Sequence, residues 1–562
     1  MVFGFLSLLL SNLILLAAPQ VLRRAIDSLR LDPAVVTLWW YSLGFLGVVC
    51  LSGLFKYYVR QTLGVASRRV EYDLRNDLFK HIQKLPPSFF HTMRTGDIMS
   101  RCTNDMQAVR MLLGPGIMYS GDAIVVFIAV VITMLVMNPT LTVLALIPMV
   151  ILPLSSNRLS KRLYERSKKV QEQIADISVL AQESISGIRV VKAYGREDRL
   201  IDKFGQASKE YVTRSMNLIK IQGVIWPLMG TIGGMSSVVV IWYGGIQVID
   251  DTLTLGQLVA FETYLAFLMW PLMAFGWVIN VIQRGMASWH RMIVLLDTEP
   301  EMSEENGIVG SHGIKGDISF KNLTFGYGNQ PVLRDISFDL QAGKTLAIIG
   351  PTGSGKSTLV NLVSRLYDPP KKSIFVDGHD VRELPLNVLR RSLGVVPQES
   401  LLFSRSIGEN IAYGKPEAGP EMIIEAAEIS QIRKDIELFP DQFDTVVGER
   451  GMTLSGGQKQ RTAISRAVIT DPKILILDDS LSSVDTYTEN EILKRLKTLM
   501  AGRTSIIVSH RISTIKDADM IIVVKEGRII ERGSHDALIL AKGLYASIHA
   551  KQLLSAAIDN LE

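Results

Sequence analysis

One stretch of this sequence has the residue types and spacing of a loop that binds nucleotide phosphates. It follows the apolar run Thr345 to Ile349, which predicts a strand, and it opens a predicted helix that continues with Thr358. In such a loop, glycines let backbone N–H groups converge on phosphate oxygens, a lysine adds positive charge, and a hydroxyl can hold Mg²⁺. The eight residues of the loop are Gly350, Pro351, Thr352, Gly353, Ser354, Gly355, Lys356 and Ser357.

A second apolar run, Ile474 to Leu477, ends in the carboxylate of Asp478. A carboxylate at the end of a neighbouring strand lies beside the phosphates, where it can fix Mg²⁺ through a coordinated water. An apolar run that ends in aspartate is common by itself, and the phosphate loop upstream is what makes this one informative. The sequence therefore predicts a Mg²⁺ site formed with Ser357 and Asp478.

The overall composition indicates what kind of domains must hold these residues. The chain has 562 residues, 48% of them hydrophobic, and a mean hydropathy of +0.24, so we expect at least two domains with part of the chain in lipid. The net charge is only +5 and no dense Lys/Arg stripe is present, so we expect no nucleic-acid partner. Cys50 and Cys102 suggest neither a disulfide nor a metal framework.

The first three hundred or so residues alternate apolar runs with long charged stretches. Each apolar run is near the ~20 residues that cross the hydrocarbon of a bilayer. Connections after the second and fourth runs are long and rich in Lys and Arg, which places them and both termini on the cytosolic side. The predicted spans are 2–26, 35–57, 117–137, 140–157, 223–248 and 257–283, with short connections at 27–34, 138–139 and 250–252.

The two long connections carry apolar residues at helical spacing, so we expect the membrane helices to continue beyond the bilayer. Breaks at Pro86-Pro87, Thr95-Gly96 and Tyr194-Gly195 predict short knobs that dock on a cytosolic domain. We assign residues 1–296 to a helical membrane domain and the acidic, glycine-bearing stretch 297–313 to a linker. Alternating strand and helix patterns assign 314–562 to an α/β domain with a largely parallel sheet.

Between the phosphate loop and Asp478 lies a pentapeptide that, with the features above, resembles the ATPase of ABC transporters. The resemblance implies ATP and Mg²⁺ as ligands. Tyr327 matches the aromatic that stacks on adenine, Gln398 the loop glutamine that reaches Mg²⁺, and His510 the histidine after the last catalytic strand. Asp485 matches the loop that crosses to a partner subunit. The pentapeptide is Leu454, Ser455, Gly456, Gly457 and Gln458.

The membrane half is similar to the exporters of this family, most closely to bacterial multidrug-resistance-like half-transporters. The resemblance implies a six-helix α-helical membrane domain with long cytosolic extensions, fused to a phosphate-loop α/β nucleotide-binding domain. It also implies a multi-pass protein of the bacterial inner membrane with a cytoplasmic ATPase. Coupling segments are expected at 94–105 and 193–198.

In this family the pentapeptide caps the ATP of a facing subunit, so a second half-transporter is implied. The residue after Asp478 is Asp479, where active members carry a glutamate base, and aspartate is shorter by one methylene. Loss of a positioned base typically costs ~10²–10⁴ in rate. We therefore expect a heterodimer in which this chain's own site, with Asp479, His510 and Gln398, hydrolyses slowly. The alternative is a homodimer in which Asp479 works slowly.

The sequence indicates less about the transported substrate than about the nucleotide site. Met and Trp residues of the fifth and sixth spans, among them Trp270 and Trp277, suit hydrophobic or amphipathic compounds, although ordinary helix packing explains them as well. Glu262 either selects cations or reaches the outer interface. A lipid flippase and an ATP-gated regulatory or channel subunit stay open as alternatives. Six apolar spans exclude a soluble ATPase, and the fused order argues against an importer.

Overall fold

The computed structural model describes residues 2–31, 35–300, 313–328, 330–448, 451, 453–484 and 486–559. The chain separates into two compact units, which we call the helical unit and the α/β unit. The helical unit comprises Met1–Gln83 and Arg94–Thr298, and the α/β unit comprises Lys84–Met93 and Glu299–Glu562. Most of the predicted linker, 301–312, lies outside the described residues.

The helical unit consists of long helices, several of them interrupted by five-residue π-helical turns. Among the described residues, five helical stretches are long and apolar enough to cross a membrane, and a shorter apolar one covers Pro139–Val150. The rest of the predicted span 140–157 lies outside the residues whose side chains are described. The helices are α1 Val2–Leu15, α2 Ala17–Leu31, α3 Val35–Val59, α4 Val65–Lys84, α5 Pro87–Thr92, α6 Thr95–Ser100, α7 Met106–Met111, α8 Ile117–Met137, α9 Pro139–Ser186, α10 Ile188–Ala193, α11 Glu197–Val239, α12 Gly245–Ile249 and α13 Leu255–Leu296, of which α5 belongs to the α/β unit.

The predicted helix breaks have local causes. Asn138 ends α8 and caps α9, its side-chain oxygen accepting a hydrogen bond from the Leu141 N–H at 3.0 Å, while Pro139 takes the first helical position. Gly195 has φ +56°, a backbone state that glycine adopts without strain, and it separates α10 from α11. These breaks agree with the sequence prediction.

The first short connection was predicted wrongly at its start, because Asp27 lies within α2 rather than in a loop. Its carboxylate accepts hydrogen bonds from the Gly256 N–H and the Thr254 hydroxyl, both at 2.9 Å. A carboxylate at the beginning of α13 satisfies unpaired N–H groups and opposes the positive end of the helix dipole. That tertiary bond favours extending α2 to Leu31.

The packed centre of the helical unit lies along one face of α13. Phe261, Tyr264 and Leu268 are fully buried there with Val130 and Met134 of α8. The Tyr264 hydroxyl donates to the Leu16 carbonyl at 2.8 Å, so its polar end is satisfied as burial requires. The sixth predicted span is therefore the helix around which its neighbours assemble.

The described residues of the α/β unit form two sheets. The larger has the order β10-β9-β3-β8-β7-β6, with parallel neighbours from β9 to β6 and β10 antiparallel at one edge; the smaller, β2-β1-β4-β5, is antiparallel. Strands β7 and β8 are buried at every position, as parallel strands covered on both faces are. The strands are β1 Ile318–Tyr327, β2 Gln330–Leu340, β3 Thr345–Ile349, β4 Ile374–Val376, β5 His379–Asp380, β6 Leu393–Val396, β7 Ile474–Asp478, β8 Thr504–Val508, β9 Met520–Lys525 and β10 Arg528–Gly533.

The helices of the α/β unit cover the larger sheet on both faces. Leu359 and Leu362 are buried in the same apolar cluster as Phe320 and Phe338, whose rings stack at 4.4 Å. On the other face, Ala463 and Ile464 pack over β7. The helices are α14 Lys356–Val363, α15 Leu386–Arg391, α16 Ile407–Ala412, α17 Pro420–Ile429, α18 Arg433–Ile436, α19 Gly456–Val468, α20 Thr486–Met500, α21 Ile512–Ile515, α22 His535–Leu540 and α23 Leu544–Asp559.

The residues around the expected first coupling segment divide between the two units. Residues Lys84–Met93, containing α5, belong to the α/β unit, and the His91 ring lies 3.0 Å from the Tyr367 hydroxyl. The expected segment 94–105 instead lies in the helical unit, where Asp105 accepts a hydrogen bond from the Ser288 hydroxyl at 2.8 Å and pairs with Arg291. The residues grouped with the α/β unit therefore include the Pro86-Pro87 break rather than the polar run after it.

Candidate functional site

Four of the predicted site residues follow strands that end at the same edge of the larger sheet. Strand β8 pairs with β3 and β7, and β7 with β6, all in parallel, so their carboxyl ends lie side by side. Gly350 follows β3, His510 follows β8, Asp479 follows β7 and Gln398 follows β6. Ligands of open α/β sheets bind at this edge. The fold thus brings together segments that are far apart in sequence.

The phosphate loop requires its glycines for two different reasons. Gly353 and Gly355 have φ of +79° and +99°, which side-chain-bearing residues rarely adopt. A Cβ on Gly350 would lie 2.0 Å from the carbonyl oxygen of Val524. Gly355 immediately precedes α14, so the loop leads directly into a helix N-terminus, where unpaired N–H groups favour anions.

Lys356 is fixed within this loop. Its side chain is 7% exposed, and its ammonium donates to the carbonyl oxygens of Gly350 and Pro351, both at 2.9 Å. Burial lowers the pKa of the Lys356 ammonium, and the carboxylates of Asp478 and Asp479 partly oppose that effect. A positive charge is therefore held where phosphate oxygens would bind.

The residues predicted for Mg²⁺ fit that ion. Burial raises the pKa of the Asp478 carboxyl, while a hydrogen bond from Ser357 and the charge of Lys356 act in the opposite direction. Asp478 Oδ1 and Ser354 Oγ are buried and have no hydrogen-bond partner among the described residues, a state that buried polar atoms seldom keep. A metal-bound water and a phosphate oxygen would satisfy them.

Mg²⁺ at this place would depend on the nucleotide for several ligands. Within the described part of the chain, no cluster of three His, Cys, Asp or Glu side chains is suited to a metal ion. Mg²⁺ in proteins is often held by one or two side chains, waters and substrate phosphates. Ser357 and Asp478 provide such a partial set.

Tyr327 lies at the end of β1, next to the phosphate loop. Its hydroxyl is 3.3 Å from Thr358 Oγ1, and its ring meets that of Tyr367 edge-on at 5.0 Å. The side chain is 47% exposed, which leaves ring surface free for an adenine base. Tyr367 was not predicted from the sequence, because a tyrosine after α14 belongs to no motif that we identified.

Asp479 and His510 line one cavity of about 200 Å³. The Asp479 backbone has φ +46° and is held by a 2.9 Å hydrogen bond from its N–H to the Val508 carbonyl. Asp populates this left-handed region more readily than most residues. The structure thus brings the two predicted catalytic side chains to the same opening.

The turn that carries His510 is anchored by a carboxylate that sequence reasoning missed. Glu489 of α20 is 2% exposed, accepts a hydrogen bond from the Thr514 hydroxyl at 2.7 Å and pairs with Arg511. Nothing in the local sequence around Glu489 indicates this role, because its partners lie more than twenty residues downstream.

Gln398 lies at the expected sheet edge but is exposed and makes no hydrogen bond to the rest of the described chain. The structure therefore gives it the right strand end without fixing it to Ser357 or Asp478. Its predicted role as a Mg²⁺ ligand stays a prediction.

The pentapeptide begins α19 and is locally well ordered. Ser455 Oγ accepts from the Gln458 N–H at 3.3 Å, and Gln458 Oε1 accepts from the Ser455 N–H at 3.0 Å, a capping box. Leu454 is buried in an apolar cluster with Ile407 and Ile411, whereas Ser455 and Gly456 are exposed. The N-terminus of α19 therefore lies at the surface of the α/β unit.

The same helix is tied to the loop that follows Asp479. Gln460 donates to Ser482 Oγ at 3.1 Å and accepts from the Ser483 N–H at 3.0 Å. Gly457 approaches this loop so closely that a Cβ there would lie 3.0 Å from the Ser483 carbonyl oxygen. Asp485, predicted to touch nucleotide from this loop, lies outside the described residues.

The helical unit has a larger cavity of about 740 Å³. Trp277 and Asn280 line it, together with Asn104, Gln107 and Arg284. Glu262 is placed differently: its Oε2 accepts a 2.7 Å hydrogen bond from the Ser237 hydroxyl of α11, and its Oε1 is buried without a partner in the described chain. The carboxylate thus contacts a neighbouring helix.

Comparisons with known proteins agree with both units. A family model described as ABC transporter transmembrane region matches residues 1–272, and one described as ABC transporter matches residues 333–482. A probable multidrug resistance ABC transporter ATP-binding/permease protein of Bacillus subtilis, YheI, is 35% identical over 555 residues, which cover 98% of this chain and 94% of that protein.

Two further similarities concern a lipid transporter and a solved structure. An ATP-dependent lipid A-core flippase of Syntrophus aciditrophicus is 34% identical over 534 residues, covering 95% of this chain and 88% of that protein. The structure of a bacterial Atm1-family ABC exporter with ATP bound superposes with a TM-score of 0.81 at 29% identity, covering 98% of both chains. With its helical membrane region and phosphate-loop α/β region fused in one polypeptide, this chain belongs to the ABC transporter family and has the architecture of its exporters.

Proposed function

We propose that this protein is one half of a dimeric exporter that uses ATP to move hydrophobic or amphipathic small molecules out across the bacterial inner membrane. In this proposal ATP binds to residues 350–358 and Tyr327, and Mg²⁺ binds to Ser357, Gln398 and Asp478. Ser354 Oγ of the loop and Asp478 Oδ1 support the nucleotide site, because both are buried and have no hydrogen-bond partner among the described residues. The membrane domain is residues 1–296 and the ATPase 314–562, both termini being cytoplasmic.

We further propose that the partner is a different half-transporter. The exposed Ser455 and Gly456, with Asp485 of the loop that follows Asp479, would cap the partner's ATP, and Lys356 of this chain would hold an ATP that is cleaved slowly. The observation that carries this proposal is Asp479, whose side chain is one methylene shorter than the glutamate of active family members. A general base placed too far from its water loses ~10²–10⁴ in rate.

Substitution within the assembled exporter tests the asymmetry. We expect Ser455→Ala to abolish ATP turnover, because it removes a γ-phosphate donor from the active site. Lys356→Ala should leave measurable turnover, because it disables the slow site, and Asp479→Glu should raise hydrolysis there by at least about tenfold. ATPase rates at saturating ATP provide the measurement.

The same assay on the chain purified by itself supplies the control. Brisk, cooperative, vanadate-sensitive ATPase activity without any second half-transporter would contradict the heterodimer and favour a homodimer that uses Asp479. Equal losses with Ser455→Ala and Lys356→Ala would contradict the asymmetry.

Lipid translocation is the second candidate function. One relative, at 34% identity, is named as a lipid A-core flippase, and a cavity lined by tryptophan suits an acyl chain as well as a drug-sized solute. Outward movement of labelled lipid in proteoliposomes, compared with uptake of a soluble amphiphile, separates the two. If the protein were an ATP-gated regulator that transports nothing, neither lipid movement nor uptake of the amphiphile would exceed the background.

A further inference from the structure

A smaller cavity of about 160 Å³ in the helical unit combines a carboxylate, a buried amide and aromatic rings. Asn12 of α1, Tyr119 and Asp122 of α8, and Trp270 of α13 line it. We propose that this cavity binds the protonated amino group of a transported molecule. The inference deepens the proposed export function, on which it rests, by naming a substrate class and its subsite.

Asn12 and Asp122 form a polar pair in which one acceptor, Asn12 Oδ1, receives no hydrogen bond from the described chain. Asn12 Nδ2 donates to Asp122 Oδ1 at 2.9 Å, which fixes the orientation of the amide. Asn12 is 1% exposed, and its Oδ1 is buried with no hydrogen-bond partner among the described residues. A buried carbonyl oxygen without a donor is unfavourable. Because Asn12 Oδ1 and the Asp122 carboxylate both accept, the group that completes the site must donate hydrogen bonds.

Charge favours a cationic donor. Asp122 lies within the third predicted span, where carboxylates are costly and usually mark a site for a partner of opposite charge. Lys56 and Arg60 also line the cavity, but neither lies within 4.0 Å of Asp122 in the described chain. The carboxylate is thus not neutralised by an ion pair, and an ammonium group supplies both charge and N–H donors.

Aromatic rings extend from this point toward the larger cavity. Tyr119 lies one helical turn before Asp122, and its ring meets those of Trp270 and Trp277 edge-on at 6.4 and 5.4 Å. Trp270 and Trp277 are 54% and 42% exposed, so ring faces are open to a ligand. Cations bind to such faces, and apolar groups pack on them.

The row of rings joins the two cavities, because Trp270 lines the smaller and Trp277 the larger. An amphipathic amine can therefore place its apolar body along Trp277 and Tyr119 and its ammonium against Asp122 and Asn12. A soluble amine and the headgroup of phosphatidylethanolamine share this ammonium, whereas phosphatidylcholine carries a quaternary nitrogen that has no N–H to donate.

Binding to the full chain in nanodiscs tests the site without requiring turnover. The probes are dansylcadaverine, a fluorescent primary amine, and its N-acetyl derivative, which is neutral. We expect the wild type to prefer the amine, and Asp122→Asn to weaken amine binding about tenfold, as expected for loss of one charge-assisted hydrogen bond. Binding of the acetylated probe should change less than about twofold.

Matched variants separate recognition from folding. Glu262→Gln, the same carboxylate-to-amide change at another position in the membrane helices, should leave the preference for the amine intact. Trp270→Leu, at an exposed position, should weaken the binding of both probes without removing the amine preference. Asp122→Glu, which keeps the carboxylate, should retain part of the amine preference that Asp122→Asn loses. Equal affinity of wild type for both probes, or equal losses of both in Asp122→Asn, would overturn the inference.

Transport in vesicles that contain the assembled exporter separates this inference from the function on which it rests. ATP-dependent movement of the acetylated probe alone would overturn the inference and retain the exporter. Amine binding lost in Asp122→Asn, without ATP-dependent movement of any probe or lipid, would retain the site and overturn the exporter. Translocation of acyl-labelled phosphatidylethanolamine in preference to phosphatidylcholine identifies lipid as the amine source, and dansylcadaverine uptake identifies a solute.

Discussion

The candidate nucleotide site and the cavities of the helical unit are built in opposite ways. Around Lys356 the chemistry depends on backbone geometry, with glycines at φ of +79° and +99° and strand ends held in register. In the helical unit, the cavity proposed to bind substrate is lined by side chains such as Asn12, Tyr119 and Trp270, each from a different helix. The first arrangement leaves a contiguous motif in the sequence, and the second leaves scattered residues.

The two regions also differ in how much change they can accept. A Cβ added at Gly350 or Gly355 of the phosphate loop would meet neighbouring atoms at less than normal van der Waals separation, so the loop has no room for larger residues there. Partly exposed tryptophans offer broad contact that does not depend on one geometry. The phosphate loop is thus rigid, which suits the fixed shape of a triphosphate, and the proposed substrate site is more adaptable.

The largest expected effect contrasts one glycine from each unit. In Gly350→Ala the new Cβ would lie 2.0 Å from the Val524 carbonyl oxygen, and overpacking against backbone costs about 3 kcal/mol. Gly205 of α11 has open space around the position that a Cβ would occupy, with no atom within 4 Å, so Gly205→Ala should be neutral or stabilising by about 1 kcal/mol. Thermal unfolding with and without MgATP measures both, and equal effects would contradict the contrast.

An intermediate effect concerns pH and Mg²⁺. Burial raises the pKa of Asp478 above its ordinary value of 3.8, so protons compete with Mg²⁺ for this carboxylate at a higher pH than they would at an exposed aspartate. The gain in ATP affinity that Mg²⁺ provides should therefore shrink as pH falls toward the raised pKa. Asp478→Asn should remove both the gain and its pH dependence, and ATP affinity without Mg²⁺ serves as the reference.

The smallest effect is expected at Tyr367, which contacts both Tyr327 and His91. Tyr367→Phe keeps the ring contact but loses the hydrogen bond to α5, worth about 1 kcal/mol. Stimulation of ATPase activity by substrate should fall by about twofold to fivefold, with unchanged ATP affinity. Tyr413→Phe is the matched control, since the Tyr413 hydroxyl makes no hydrogen bond in the described chain and its ring packs against Phe403 at 4.6 Å. Equal effects of both substitutions would contradict a specific contribution of the Tyr367–His91 hydrogen bond to substrate stimulation.

Sequence patterns predicted the elements well where the cause is local. The break at Asn138-Pro139, the glycine turn at Gly195 and the buried strands before Gly350 and Asp479 are all in place. The extension of α2 past Asp27 was not predicted, and the first coupling segment was expected at 94–105 rather than at α5, because each depends on a partner far away in the chain. The anchoring role of Glu489 was not predicted for the same reason, since its partners Arg511 and Thr514 are distant in the chain.

The sequence by itself determined the two-part architecture and the nucleotide loop, because span length, strand apolarity and glycine φ are properties of neighbouring residues. Tertiary structure alone decided which side chains meet: Asn12 with Asp122, Tyr119 with Trp270, Tyr367 with His91. Such pairs form between helices or between distant segments, where packing selects the partner and no short-range periodicity records it.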